Sequence, residues 1–96
     1  MAFYTYILTN HPRRTVLYTG HTEDLGVRTG DHKFERTPGF ASRYNCNRLV
    51  WWELHETREE ARQREATIKR WRRAWKEELV TEANPNWDDL SEEWFD

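Results

Sequence analysis

Aromatic and β-branched residues crowd positions 3–9 (FYTYILT), give way to the polar break Asn10-His11-Pro12-Arg13-Arg14, and resume over 15–20 (TVLYTG). Two short runs of this character, joined by a connection of about five residues, predict a β-hairpin. If Thr9 closes against Thr15, Tyr6 faces Tyr18 directly. A slip of two residues would still leave both tyrosines on one face, because the side-chain period of a strand is two. Gly20 ends the second strand. Thr22 then suits an N-cap, and Glu23 and Asp24 suit a first helical turn, where carboxylates complement the positive end. Gly26 and Gly30 each cost this helix about 0.5–1 kcal/mol relative to alanine, so tertiary packing must hold it.

Residues 36–47 (RTPGFASRYNCN) read as a loop and residues 48–55 (RLVWWELH) as a third strand. Alternation puts Val50, Trp52 and Leu54 on one face of that strand and Leu49 and Trp51 on the other. Apolar residues on both faces suit a strand covered on both sides, in the middle of a small sheet. Thr57, with Glu60 three residues on, forms a capping box. No glycine or proline interrupts Thr57 to Ala83, and Ala61, Ile68, Trp75 and Leu79 fall within one narrow stripe at helical spacing. Asn84-Pro85 ends the helical region, since proline disfavours helix in the residue before it.

Composition changes the picture little, and charge changes it more. A chain of 96 residues is one domain. Its apolar fraction is only 36%, but 15% of residues are aromatic and six are Trp, which predicts a small aromatic core. The net charge of −2 points to no partner by itself. Its distribution is uneven: residues 58–76 carry eight basic and three acidic side chains, whereas residues 77–96 carry no basic and eight acidic ones. Blocks of one sign are solvated surface or interaction segments. The single cysteine, Cys46, allows no internal disulfide or cysteine metal pair and is expected to be a structural thiol in a reducing compartment. With no apolar run long enough to span a bilayer and no signal-peptide pattern, a soluble cytoplasmic protein is expected.

Candidate chemistry lies at the ends of these elements. Leu25, Arg28 and His32 share one helical stripe, and a guanidinium held against protein suits phosphate recognition. The alternative is a surface Arg and a surface His. Glu65 falls on the inner stripe of the basic helix, where a carboxylate is costly unless it is paired or binds a metal. An inward salt bridge to Arg28, Arg64 or another arginine meets that need as well as a metal does. Lys69, Arg70, Arg72, Arg73 and Lys76 form either a phosphate-attracting patch or a solvated face. In the 36–47 loop, Arg36 and Arg43 suit phosphates and Phe40 or Tyr44 suits base stacking. The aromatics there could equally plug the edge of the core.

Tyr4-Thr5-Tyr6 and Tyr18-Thr19-Gly20, followed by Arg28 and His32, resemble the signature of the GIY-YIG nuclease superfamily, and more narrowly its small stand-alone members. Later segments fit as well: Phe40 to Tyr44-Asn45, Arg48 to Glu53, Glu60-Ala61 to Glu65, Ile68 to Arg73, and Asn84-Pro85 with Trp87 and Asp89-Leu90. Tyr4 and Thr5 replace the first Gly and Ile, and Thr19 replaces the second Ile; both tyrosines and the final glycine remain.

The resemblance implies a break in the long helical region near Trp71 to Arg73. The fold is then α+β, a three-stranded antiparallel sheet flanked by helices in the order β-β-α-β-α-α. Residues 1–83 form the nuclease-like domain, and 84–96 form an acidic tail packed on it through Trp87 and Leu90. The resemblance further implies that Glu65 holds a single Mg²⁺ or Mn²⁺, that Arg28 and His32 meet the phosphate or leaving group, and that Tyr6 or Tyr18 orients or deprotonates a water, the sequence not saying which. Gly20 and Asn84 support the site. The implied activity is hydrolysis of phosphodiester bonds in DNA, as in DNA repair, by a protein assumed monomeric. Two other readings are a nucleic-acid-binding module of the same fold that does not cleave, and a protein-interaction domain working through the acidic tail.

Overall fold

Strand β1 (Phe3–Asn10) lies between β2 (Leu17–Thr22) and β3 (Cys46–His55), antiparallel to both, in a sheet ordered β2-β1-β3. Helix α1 (Leu25–Lys33) follows β2; α2 (Arg58–Lys69) and α3 (Arg73–Ala83) follow β3, and a short 3₁₀ helix spans Glu92–Phe95. The computed structural model describes residues 2–10, 13–34 and 45–95.

The α+β order β-β-α-β-α-α is the one the resemblance implies, and so is the break between the last two helices, with Arg70 capping α2 and Arg72 preceding α3. Thr57 caps α2 through a capping box completed by Glu60. Several local expectations are corrected. The hairpin register pairs Tyr6 with Gly20 and Leu8 with Tyr18, rather than Tyr6 with Tyr18. The connection is two residues longer than the assumed closure, because Asn10 uses its side chain to hold the turn, accepting from the Val16 amide (2.9 Å) and donating to Thr15 Oγ1 (2.8 Å). Both tyrosines still share a face. Thr22 is the last residue of β2, and Asp24 is the N-cap of α1, its carboxylate accepting from the Val27 amide.

The third strand is an edge of the sheet; β1 is the middle. The sequence of β1 is apolar on both faces too, and it alone pairs on both sides. In β3, a register shift opposite Ile7 and Leu8 breaks simple alternation. Leu49 joins Tyr6, Leu8, Leu25 and Cys46 in one core cluster. Val50 and Trp51 together join Ile7, Ile68, Val80 and Trp87 in the other. Trp52 and Leu54 remain exposed. The stripe projected across Thr57 to Ala83 also fails past the break: Ala61 and Ile68 are buried, but in α3 the buried residue is Val80, and Trp75 is exposed. The non-helical residues reset the angular phase.

The two core clusters lie on opposite faces of the sheet. The even-numbered residues of β1 face α1, and its odd-numbered residues face α2, where Thr5 Oγ1 donates to the Ala61 carbonyl at 3.0 Å. The tail is fastened by buried Trp87, by the Leu90 amide donating to the Leu49 carbonyl (2.8 Å), and by the ion pair of Lys33 with Asp89. No helix among the described residues is long and apolar enough to cross a membrane.

Candidate active site

Pairing Tyr6 with Gly20 gives the glycine its purpose. The Tyr6 ring lies across Gly20 so closely that a Cβ there would meet the phenol oxygen at 2.6 Å and Cζ at 2.7 Å. Any larger residue must displace the ring. Tyr6 is thereby pinned, with its hydroxyl 3.3 Å from His32 Nε2. The rings of Tyr6, Tyr18 and His32 form one group, with centroids 5.4–6.3 Å apart. The Arg28 guanidinium interacts electrostatically with both tyrosine hydroxyls. Tyr6, Tyr18, Arg28 and His32 therefore converge, two from the hairpin and two from one face of α1.

Burial, and then the neighbouring Tyr18, push the Tyr6 hydroxyl above the ordinary tyrosine range; Arg28 pulls against this, and Glu65 adds to it. His32 is 5% exposed. Burial and then Arg28 lower its pKa to about 4 against the opposing charge of Asp31, so it is neutral near pH 7. Its Nδ1 has no hydrogen-bond partner among the described residues. An orphaned buried N–H is rarer than an under-used acceptor, which favours the tautomer with the proton on Nε2. His32 then donates to the Tyr6 oxygen, and the positive charge of Arg28 also favours the ionised phenol. A donor and a cationic side chain beside one phenol oxygen suit a negative charge developing there.

Glu65 approaches from the other face. Its Oε1 is 2.6 Å from His21 Nδ1, and its Oε2 is 2.7 Å from Lys69 Nζ. Burial alone would raise its pKa, but hydrogen bonds from Lys69 and His21 outweigh this and hold it below the ordinary carboxylate range. The inward carboxylate is paired, though not with the arginines considered from sequence: Arg64 bonds Glu53 (3.1 Å) and Arg28 lies near Asp31. Among the described residues no cluster of three or more His, Cys, Asp or Glu side chains could hold a metal. One ionised carboxylate nevertheless fits Mg²⁺, which keeps several waters and takes other ligands from phosphate.

The remaining candidates divide. Lys69 and Lys76 line a groove with Leu17, Tyr18 and Thr19 along the β2 edge. Arg73 is committed to structure: it donates to the carbonyls of Arg14 and Thr15 in the hairpin turn and pairs with Glu77. Arg72 lies over the Trp75 ring, and Arg70 is exposed at the C-cap of α2. The amide of Asn84 donates to the carbonyls of Val50 and Asp88 and accepts from the Asp88 amide, so it fastens the tail rather than Glu65. Arg36 and Arg43, with Phe40 and Tyr44, lie outside the described residues. Cys46 is buried and its thiol is raised to about 11 by burial, as suits a structural residue.

Sequence reasoning missed His21. The signal was strand parity: the residue after Gly20 must point to the face opposite the tyrosines, the face to which the inner stripe of α2 brings Glu65.

A family model described as the GIY-YIG catalytic domain matches residues 2–78. Among solved structures, the solution NMR structure of a UPF0213 protein from Bacillus halodurans is similar, with a TM-score of 0.58 and 28% identity over 97% of each chain. None of the curated proteins compared matches.

Proposed function

The chain belongs to the GIY-YIG family, and from that premise we propose that it is a divalent-metal-dependent nuclease hydrolysing phosphodiester bonds, with DNA as its substrate. The observation that carries the reading is the convergence of Tyr6, Tyr18, Arg28 and His32 over Gly20, within electrostatic reach of Glu65.

Glu65 holds the cation, which when bound polarises a phosphoryl oxygen and stabilises the leaving oxygen. Tyr6 is the better base of the two tyrosines. Its oxygen is 3.3 Å from His32 Nε2, and the Arg28 charge pulls against the burial that holds its pKa above the ordinary tyrosine range, so the rest of the help a phenolate needs would have to come from a bound cation. Neutral His32 then acts as a donor behind Tyr6 rather than as a contact on the phosphate itself. Tyr18 shares Arg28 and borders the groove with Lys69 and Lys76, so it orients water and substrate while the lysines attract the backbone. Arg28 is the group placed to neutralise charge on the scissile phosphate.

A non-cleaving binding module is the second reading, favoured by one observation: both oxygens of Glu65 already have cationic or imidazole partners. Incubating the protein with single-stranded, duplex and branched DNA and with RNA, with Mg²⁺, Mn²⁺ or chelator, separates the two. Metal-dependent cleavage of DNA that disappears in Glu65→Gln is expected. Binding in chelator with no cleavage under either metal supports the second reading, and cleavage that persists in Glu65→Gln overturns the first.

A further inference from the structure

His21 is adjacent to the glycine that seats Tyr6, yet it projects to the opposite face and meets Glu65. We propose that His21 and Glu65 together form a nitrogen–oxygen chelate, so that the site selects first-row transition cations such as Mn²⁺ over Mg²⁺. This rests on the proposed reading of Glu65 as the residue that holds the cation.

Geometry is the first support. Two ligand atoms about 2.1 Å from a metal in adjacent octahedral positions are about 3.0 Å apart. His21 Nδ1 and Glu65 Oε1 are 2.6 Å apart, so the pair needs to open by only a few tenths of an ångström. Their hydrogen bond holds the two atoms side by side at the rim, so a small rotation of each would turn both lone pairs onto a shared cation.

Access is the second. The side chains of His21 and Glu65 are 26% and 18% exposed, open enough for an ion to enter. Lys69, the other partner of Glu65, is 52% exposed on a flexible stem and can swing away without disturbing the core. His21 is fixed by its backbone in β2, where it pairs with Thr5. It cannot leave so readily, which favours its remaining in the coordination sphere.

Ligand chemistry is the third. Mg²⁺ prefers oxygen donors and keeps its water, whereas imidazole favours first-row transition metals. A carboxylate alone would give little preference; adding the imidazole gives one.

The test measures binding as well as activity. Calorimetric titration of the full chain at pH 8 with MnCl₂ and with MgCl₂ is expected to show Mn²⁺ bound at least tenfold more tightly. His21→Ala should weaken Mn²⁺ about tenfold and leave Mg²⁺ within threefold. Pulsed EPR of the wild-type protein with Mn²⁺ should show hyperfine coupling to an imidazole nitrogen, a readout that needs no variant to fold. Absence of that coupling, or a His21→Ala protein that binds both metals as well as or better than wild type, overturns the chelate and makes His21 only a hydrogen-bond partner of Glu65. Glu65→Gln separates the two layers of inference. Loss of both metals there, with no nitrogen coupling in the wild type, leaves Glu65 as the cation holder and removes only His21. Binding by Glu65→Gln equal to wild type overturns both.

Discussion

The two faces of β1 carry the two halves of the proposed site, built in contrasting ways. On the α1 face, Tyr6 and His32 are almost wholly buried and pinned by rings and by the Gly20 backbone. On the α2 face, Glu65 sits at the rim, held by His21 and the mobile stem of Lys69. Neighbouring residues of β2, Gly20 and His21, serve opposite halves because strand side chains alternate. The edge strand is therefore the wall around which the site closes. The buried half fixes geometry at a cost to pH tolerance, and the rim half stays open to ions. Substitutions on the two faces should separate activity from stability.

The largest effects should be on cleavage. Tyr6→Phe should lower the rate by about 10²–10⁴-fold, the range for removing a positioned acid or base, and Arg28→Ala by about 10²–10³-fold. Glu65→Gln should lower it at least as far. The faces should differ in stability: Tyr6→Phe deprives buried His32 of its hydrogen-bond partner and should cost about 1–2 kcal/mol in urea unfolding, whereas Glu65→Gln should change it far less. Equal destabilisation by both would mean that the two halves are not built differently.

Acid should act on the buried half. In the unfolded chain His32 takes up a proton near pH 6.5, whereas in the folded protein it refuses one until about pH 4. The unfolded state thus binds more protons across that window, and stability falls as pH drops through it. The loss should amount to roughly 2–3 kcal/mol between pH 6.5 and 4. It should be visible as a sloping urea midpoint that flattens in His32→Phe. An unchanged slope in the variant would show that His32 is not the group responsible.

Gly20→Ala tests the wall itself. The added methyl meets a ring held by His32 and Tyr18, and overpacking of this kind costs about 1–3 kcal/mol. Cleavage should fall with it, because the displaced phenol oxygen leaves His32 and the Arg28 charge. Retained activity at wild-type level would mean that the position of Tyr6 is not what the glycine secures.

These contrasts bear on how much the amino-acid order revealed. The hairpin and the capping box at Thr57 and Glu60 were legible because each rests on local pattern, whereas the antiparallel order of the whole sheet came from the resemblance. Parity put Tyr6 and Tyr18 on one face and helical spacing put Arg28 and His32 on one stripe, but only the resemblance joined the two pairs into one site. The exact register could not, because it depended on Asn10 folding its side chain into the turn. Nor could the edge position of β3, since both β1 and β3 are apolar on two faces and only tertiary pairing tells them apart. Trp75 and Val80 exchanged roles because periodicity carries no phase across a break. Arg73 looked like a phosphate contact until the hairpin turn, distant in sequence, supplied its carbonyls.

The smallest expected effect is the most delicate probe of the rim. Lys69 and Glu65 form an i,i+4 pair at 2.7 Å with the lysine half exposed, an arrangement worth only about 0.3–0.5 kcal/mol after solvent screening. Lys69→Ala should therefore move the urea midpoint barely beyond error. Its effect on ligands should run in opposite directions: removing a competitor from Oε2 should tighten divalent cation binding a few-fold, while removing a positive charge from the groove beside Tyr18 should weaken DNA binding and shallow its salt dependence by about one phosphate contact. A destabilisation above about 1 kcal/mol would contradict the contrast between the faces, because it would mean that the rim carboxylate is held as firmly as the buried tyrosine.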